Sequence, residues 1–378
     1  MGVIAAKSAL DELLAAYESI AASRYRDLAS DRPLVGIVGG AVPREVFHGF
    51  GATPVHIAGL ERSRENVAEF MEESAPWHWQ GIAEGMLRGD YKELAAIVLD
   101  RSHQHFYYYL KEMQRQGAGR AFPPVFLLDW IQSADKEHSR YHDVQVRAFV
   151  FNLERVTGQP YAPERTALAV HDYNQMRATL RSFQSFRSSA NLSGVVAYQL
   201  MAASQAMRPA RHRELLAAVM RTDLTTGAGA PRALLVSSES MMALHLHEAV
   251  TAAGGVVVAE DDWWGTRSAH QDAPTTGSIA DLCAFYAFLG IGEFVAPMTK
   301  RTAWYRDAAH FTGIDFAVLH HSINDEHAGW DYPFIIEDLA RLGIPSVCVE
   351  GDLQTSAGRA QVAAAIGRTI DGRTGTAK

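Results

Sequence analysis

The chain has 378 residues, enough for two α/β domains, and its 48% hydrophobic content can supply a core for each. A formal net charge of −8, without any basic run, argues against a nucleic-acid partner. No stretch reaches the roughly 18 consecutive apolar residues that a membrane span requires, and the N-terminus lacks a signal-peptide pattern. We therefore expect a cytoplasmic protein with no membrane partner.

The N-terminal part of the sequence predicts a helix followed by an α/β domain. Residues 1–33 are rich in Ala, Leu and Glu at helical spacing, which is typical of an amphipathic helix. Residues 34–152 alternate short apolar runs with helical patterns, including one at 62–71, and form the first predicted domain. The predicted strands are 34–38, 53–58, 95–99 and 124–128.

The rest of the chain predicts a connector and a second domain. Residues 153–230 have interrupted helical patterns without strand candidates, which indicates a helical connector. Residues 231–378 repeat the order of segments of the first domain, with strands at 233–236, 256–259, 314–319 and 344–349. A repeated unit predicts two similar Rossmann- or flavodoxin-like parallel-sheet domains that face a cleft.

Polar side chains cluster after the third predicted strand of each domain. Ligands of parallel sheets bind beyond the carboxyl ends of the strands, so both clusters are candidate sites. His103 and His321 are candidates for general acid–base catalysis. A helix is predicted from Asp331 to Leu342, with Pro333 in its first turn.

A divalent metal site at these clusters is one alternative, and ordinary polar loop residues are the other. The candidate ligands are His103, His105, His321, Asp325 and His327. Their spacing matches no recognised metal motif. Since His320 and His321 are consecutive on a strand, their side chains point to opposite faces and at most one reaches the site.

Glycines and aromatic residues mark further candidates. Gly39 and Gly40 follow the first strand, where a bare backbone can approach a ligand, although they form no nucleotide-binding fingerprint. Trp263 and Trp264 follow the strand at 256–259, where they either fill the core or cover a flat acyl group. The two cysteines, Cys283 and Cys348, are both expected to be small buried hydrophobes.

Four places in the sequence resemble the component-D subunits of the 2-hydroxyacyl-CoA dehydratase and benzoyl-CoA reductase family. Residues 35–45 (VGIVGGAVPRE) and 51–55 (GATPV) are similar to the family patterns G-W-x-C-x-Y-x-P-E-E and A-A-G-x-x-P-V. Residues 254–261 (GGVVVAED) and 265–267 (GTR) are similar to G-G-x-V-V-x-D-D and G-S-R. Residues 313–315 (GID) with 331–333 (DYP) are similar to the third-strand unit of the family, and residues 343–352 (GIPSVCVEGD) are similar to G-I-P-x-L-x-I-E-G-D.

The resemblance implies a hetero-oligomer in which three cysteines at loop tips hold a [4Fe–4S] cluster. In that family an ATP-dependent activator supplies an electron that reduces an acyl-CoA thioester, for dehydration by a lyase or for ring reduction by a reductase. In this chain the three cysteine positions fall on Gly39, Ser102 and about Asp325, and none is a thiol, so we expect no cluster in this chain itself. Glu45 matches the second acid of P-E-E and is implied to be catalytic or a helix N-terminal acid.

Three functions remain open from the sequence. The first is a cluster-less subunit that contributes to an acyl-CoA site beside a cluster-bearing homologous partner, with Gly39, Gly40, Ser102, Trp263, Trp264 and Asp325 as substrate-binding candidates. The second is a stand-alone enzyme that uses metal or histidine in the rebuilt cleft. The third is a non-catalytic assembly subunit.

Overall fold

Two parallel sheets of four strands each organise the structure. The computed structural model describes residues 2–28, 31–60, 65–72, 75–117, 122–131, 139–189, 192–222, 229–237, 243–288, 303–307, 313–321, 326–351, 353 and 355–375. The strands are β1 Leu34–Val38, β2 Thr53–His56, β3 Leu94–Asp100, β4 Val125–Leu128, β5 Arg232–Ser237, β6 Val256–Asp261, β7 Phe316–His321 and β8 Ser346–Glu350. Their orders are β2-β1-β3-β4 and β6-β5-β7-β8. The identical orders confirm two similar parallel-sheet units.

Helices precede, cover and connect the two sheets. They are α1 Gly2–Ala21, α2 Val46–Gly49, α3 Trp77–Arg88, α4 Gln104–Arg115, α5 Ser139–Thr157, α6 Pro163–Ser189, α7 Gly194–Ala202, α8 Pro209–Val219, α9 Ala243–Ala252, α10 Ile279–Phe288, α11 Glu326–Arg341 and α12 Ser356–Gly375. Within the described ranges, none of the helices combines the length and the apolar character needed to cross a membrane. The limits of the domains and of the connector stay a prediction.

Strand β1 shows why the apolar runs form parallel sheets. All five of its residues are buried, and successive side chains pack into different core clusters: Leu34 and Val38 into one, Val35 and Ile37 into the other. Successive side chains of a strand point to opposite faces, so a sheet covered on both faces needs a continuous apolar run. The same reasoning explains the buried centres of β3, β5 and β7.

Helix α6 joins the two sheets. It packs against α2 of the first unit and against β6 of the second. The side chains of Arg177 and Arg187 on this helix are almost completely buried, and each forms an ion pair with a buried glutamate. The helix therefore positions residues from both units relative to one another.

Three local predictions are wrong. Helix α11 begins at Glu326, not at Asp331, so Pro333 lies inside the helix and not in its first turn. Proline is common in first turns but also occurs in helix interiors, where it lowers the stability of the helix. Instead of a helix at 62–71, the described residues contain only the 3₁₀ turn Val67–Glu69. There the Glu84 carboxylate accepts backbone N–H groups that would otherwise bond within a helix.

The third error concerns Cys348, which is exposed, whereas Cys283 is buried as predicted. Cys348 lies on β8, the last strand of its sheet, and that strand is only partly covered. The apolar run that predicted the strand therefore does not predict burial of each of its side chains.

Candidate active site

The Asp100 carboxylate occupies the space beside Gly39, the position implied for the first cluster cysteine. Gly39 has a φ of +96°, which side-chain-bearing residues rarely adopt, and a Cβ placed there would overlap the Asp100 carboxylate. The same carboxylate accepts the backbone N–H of Ala41 at 2.9 Å. The Asp100 carboxylate therefore holds the loop after β1 against the end of β3.

His103 contacts the same Asp100 carboxylate. Its Nδ1 lies 2.8 Å from Asp100 Oδ1, and the residue is only 1% exposed. The rings of His78 and Trp79 lie 5.9 and 6.0 Å from its own. A carboxylate that bonds a histidine fixes its tautomer and orientation, as in many acid–base pairs. Because His103 is buried, contact with a substrate would require the residues that cover its ring to move.

Ser102 and His105, the other candidate residues of this loop, do not lie in the same buried site as His103. Ser102 is partly exposed, and His105, in the first turn of α4, is exposed. Two residues along a helix place side chains on different faces, so His103 and His105 do not converge. In the part of the chain that the structure describes, no group of three His, Cys, Asp or Glu residues could hold a metal ion.

A narrow pocket lies between the two units. It is lined by Gly40, Val42, Arg44, His56, Gln205, Trp263, Ser268 and Tyr286. Of the predicted substrate-binding residues, Gly40 and Trp263 line it, and the Trp263 ring lies 4.9 Å from that of His56. Trp264 is 1% exposed and packs in the large core cluster, so it fills space.

Glu45 lies in a buried ion-pair network beside this pocket. Its Oε1 accepts a hydrogen bond from Arg177 Nη2 at 2.5 Å, and its Oε2 accepts one from the Tyr286 hydroxyl at 2.8 Å. Burial raises the pKa of Glu45, but the Arg177 charge, the hydrogen bonds that the carboxylate accepts and the Arg44 charge together outweigh it and hold the pKa below the usual value. Burial followed by the Glu45 charge raises the pKa of Tyr286 to about 12. Glu45 is thus placed to position the pocket wall.

Three consecutive acids end β6 and each has different partners. Glu260 forms an ion pair with Arg187 at 2.6 Å, and Asp261 forms one with Arg267 at 2.6 Å. Asp262 Oδ1 accepts the backbone N–H groups of Trp264 and Gly265 at 2.5 and 2.8 Å. These bonds fix the turn that presents Trp263 to the pocket.

Asp262 is expected to make the protein less stable as the pH rises. Burial, and then the neighbouring Glu260 charge, raises the pKa of Asp262 to about 7 from its usual 3.8. Because the folded state binds this proton more tightly than the unfolded chain, stability falls between about pH 4 and pH 7. Asp262→Asn keeps the acceptor oxygen but not the charge, so chemical denaturation should show the variant gaining stability over wild type across that range. Equal pH profiles would contradict this pKa.

The second unit contributes His320 and His321 at the end of β7. His320 is completely buried, with Nε2 3.0 Å from the Gly351 carbonyl, while His321 is half-buried. Both residues lie on β7, and consecutive side chains of a strand point to opposite faces. Asp325 and the side chain of His327 lie outside the described residues, so their predicted roles, like that of His321, stay predictions.

A comparison with models of protein families finds a match to most of the chain. A family model described as 2-hydroxyglutaryl-CoA dehydratase, D-component, matches residues 40–368. The chain belongs to this family. The comparison with curated proteins finds no match. A D-component is one component of an enzyme, so family membership implies partner subunits.

The residues at the implied cluster positions of this D-component family member do not fit a [4Fe–4S] cluster. Gly39 has no side chain, and the carboxylate of Asp100 fills the space where one would lie. Ser102 offers a hydroxyl rather than a thiolate, and cluster iron is held by thiolates. Neither cysteine of the chain is at these positions: Cys283 lies within α10 and Cys348 within β8.

Several site residues were missed by the sequence predictions. Arg44 and His56 line the pocket, and Arg177 reaches it from α6 through Glu45 and Tyr286. His56 ends β2 and Asp100 ends β3, so the rule that ligands bind at carboxyl ends of strands could have found both. No local sequence pattern indicates which of the arginines of helix α6 are buried.

Proposed function

We propose that this chain is a subunit that contributes to an acyl-CoA thioester site, in a complex whose iron–sulfur chemistry is supplied by a cluster-bearing homologous subunit. The observation that supports this most is the pocket between the two units, since it combines residues from both halves of a D-component family fold. Clefts between similar α/β units are common sites for small-molecule ligands.

The chain's own residues would bind and orient the acyl group. Trp263 offers an apolar wall and Gly40 permits close approach of the ligand to the backbone. The ion pair of Arg177 and Glu45 holds Tyr286 in the pocket lining.

A substitution that fills the pocket tests this proposal. Ser268 is 7% exposed in the pocket wall, and Ser268→Leu adds apolar volume there. We expect at least a tenfold loss of butyryl-CoA affinity, measured by calorimetry on the anaerobically purified complex. Ser182→Leu is the matched control: Ser182 is exposed on α6, and its hydroxyl also donates to a backbone carbonyl.

The outcomes separate the proposed function from its alternatives. Unfolding free energies of both variants are measured alongside, so that misfolding is distinguished from a blocked pocket. Absence of acyl-CoA binding to the wild-type complex would contradict the proposal and favour an assembly subunit. Full turnover by the chain alone, without a partner subunit or activator, would instead favour a stand-alone enzyme.

A further inference from the structure

The pocket between the units contains a positive charge that no carboxylate contacts. Arg44 Nη1 donates hydrogen bonds to the backbone carbonyl of Ser204 and to Gln205 Oε1, both at 2.8 Å. Both acceptors are neutral. Glu45 follows directly in sequence, but its two oxygens are bonded to Arg177 and Tyr286. Among the described residues, Arg44 thus has no ion-pair partner although it is only 7% exposed.

Two further buried polar groups in the lining have no hydrogen-bond partner within the described part of the chain. They are the indole N–H of Trp263 and Nδ1 of His56, and each residue is 3% exposed. An indole nitrogen only donates. A buried polar group without a partner costs about 1–3 kcal/mol, so a molecule in the pocket that forms hydrogen bonds with these two groups gains that stabilisation.

The lining offers donors and no acid. His56 is neutral at pH 7, because burial and then the Arg44 charge hold its pKa well below the usual value. The hydroxyls of Ser268 and Tyr286 already donate, to the Gly265 carbonyl and to Glu45, so their oxygens add no free donor. A buried guanidinium and an indole N–H in the lining of one pocket are therefore its dominant features, and both complement an oxyanion.

We infer that this pocket binds a small carboxylate, with Arg44 as its counter-ion and the Trp263 indole N–H as a second donor. A planar carboxylate matches the fork of a guanidinium. The carboxylate belongs either to a free acid or to the far end of an acyl chain. Only the second source rests on the proposed function.

Calorimetry on the full-length protein, in the complex in which it purifies, tests the inference with four probes. Succinate and succinamide differ in charge at similar size, and succinyl-CoA and butyryl-CoA differ in a terminal carboxylate. We expect the carboxylate-bearing member of at least one pair to bind at least tenfold more tightly than its neutral counterpart. Preference within the first pair identifies a free acid, and preference within the second pair alone identifies an acyl chain.

Variants assign the preference to Arg44. Arg44→Gln removes the charge but keeps an amide donor for the Ser204 carbonyl, and it should abolish the preference. Arg44→Lys keeps the charge and should retain part of it. Arg181→Gln is the control, because Arg181 is a partly exposed arginine whose ion pair with Asp272 lies on the surface.

Four results would overturn the inference. They are equal binding within both pairs, no binding by either carboxylate, a preference unchanged in Arg44→Gln, and tighter binding of inorganic phosphate than of any carboxylate. If butyryl-CoA binds as well as succinyl-CoA and succinate does not bind, the inference fails while the proposed function stands. If no thioester binds but succinate does, the proposed function fails and the carboxylate site stands.

Discussion

Replacing Arg177 with methionine is expected to lower the free energy of unfolding by about 3–5 kcal/mol, because it leaves the Glu45 carboxylate buried without its cation. Arg177 is 1% exposed and Glu45 is completely buried, so water cannot replace the lost charge. The change also removes the hydrogen bond from Arg177 Nη2 to Tyr286. Urea denaturation at pH 7 measures the loss.

Three comparisons separate this effect from ordinary loss of packing. The double variant Arg177→Met with Glu45→Gln should recover much of the stability, since no unpaired charge remains. Arg341→Met should cost at most about 1 kcal/mol, because the Arg341 side chain is 66% exposed where it pairs with Glu337 and Asp338. If Arg177→Met and Arg341→Met cost the same, the ion pair does not anchor the pocket wall.

The Glu45 pair also has a predicted pH dependence. The pKa of Glu45 is held below its usual 4.5 in the folded state. Its stabilisation is therefore fully present above the pKa of the unfolded chain and is lost as the pH falls through the lower, folded value. Acid unfolding of Glu45→Gln should lack this contribution.

Gly39→Ala is expected to destabilise the protein by about 3 kcal/mol or more. A positive φ costs a side-chain-bearing residue about 1–2 kcal/mol, and displacing the Asp100 carboxylate from its bonds adds a comparable amount. The added Cβ would overlap that carboxylate, which holds the N–H of Ala41 and the ring of His103. Equilibrium unfolding measures the change.

Gly89→Ala provides a matched control for the cost of placing a side chain on a residue with positive φ. Gly89 has a φ of +78°, and an added Cβ would meet no atom within 4 Å. The difference between the two variants reports the contact with Asp100 alone. In an Asp100→Ala background, Gly39→Ala should cost no more than Gly89→Ala. If the two single variants are equally destabilised, the carboxylate does not fill the implied cysteine position.

The sequence was sufficient to predict the strands and their repeat. Each buried strand has a continuous apolar run, and the same order of segments occurs twice, so the two sheets followed from local patterns. Cys348 was misjudged because burial at the edge of a sheet depends on what packs over it, which a strand pattern does not contain.

The site was predicted less completely because its contacts join distant residues. Arg177 and Glu45 are 132 positions apart, and Arg177 lies in a helix with several other arginines. Its inward orientation depends on how α6 packs against α2 and β6. Asp100 and Gly39 were both visible at the ends of strands, but only the fold shows that one fills the space beside the other.

Quantification of iron and acid-labile sulfide in the anaerobically purified chain, alone and in its complex, shows whether this chain holds a cluster of its own. We expect neither in the isolated chain, because Gly39 and Ser102 provide no thiolate and Asp100 fills the first ligand position. Both should be found in the complex, contributed by the partner subunit. About four irons and four sulfides per isolated chain, the content of one [4Fe–4S] cluster, would contradict the account.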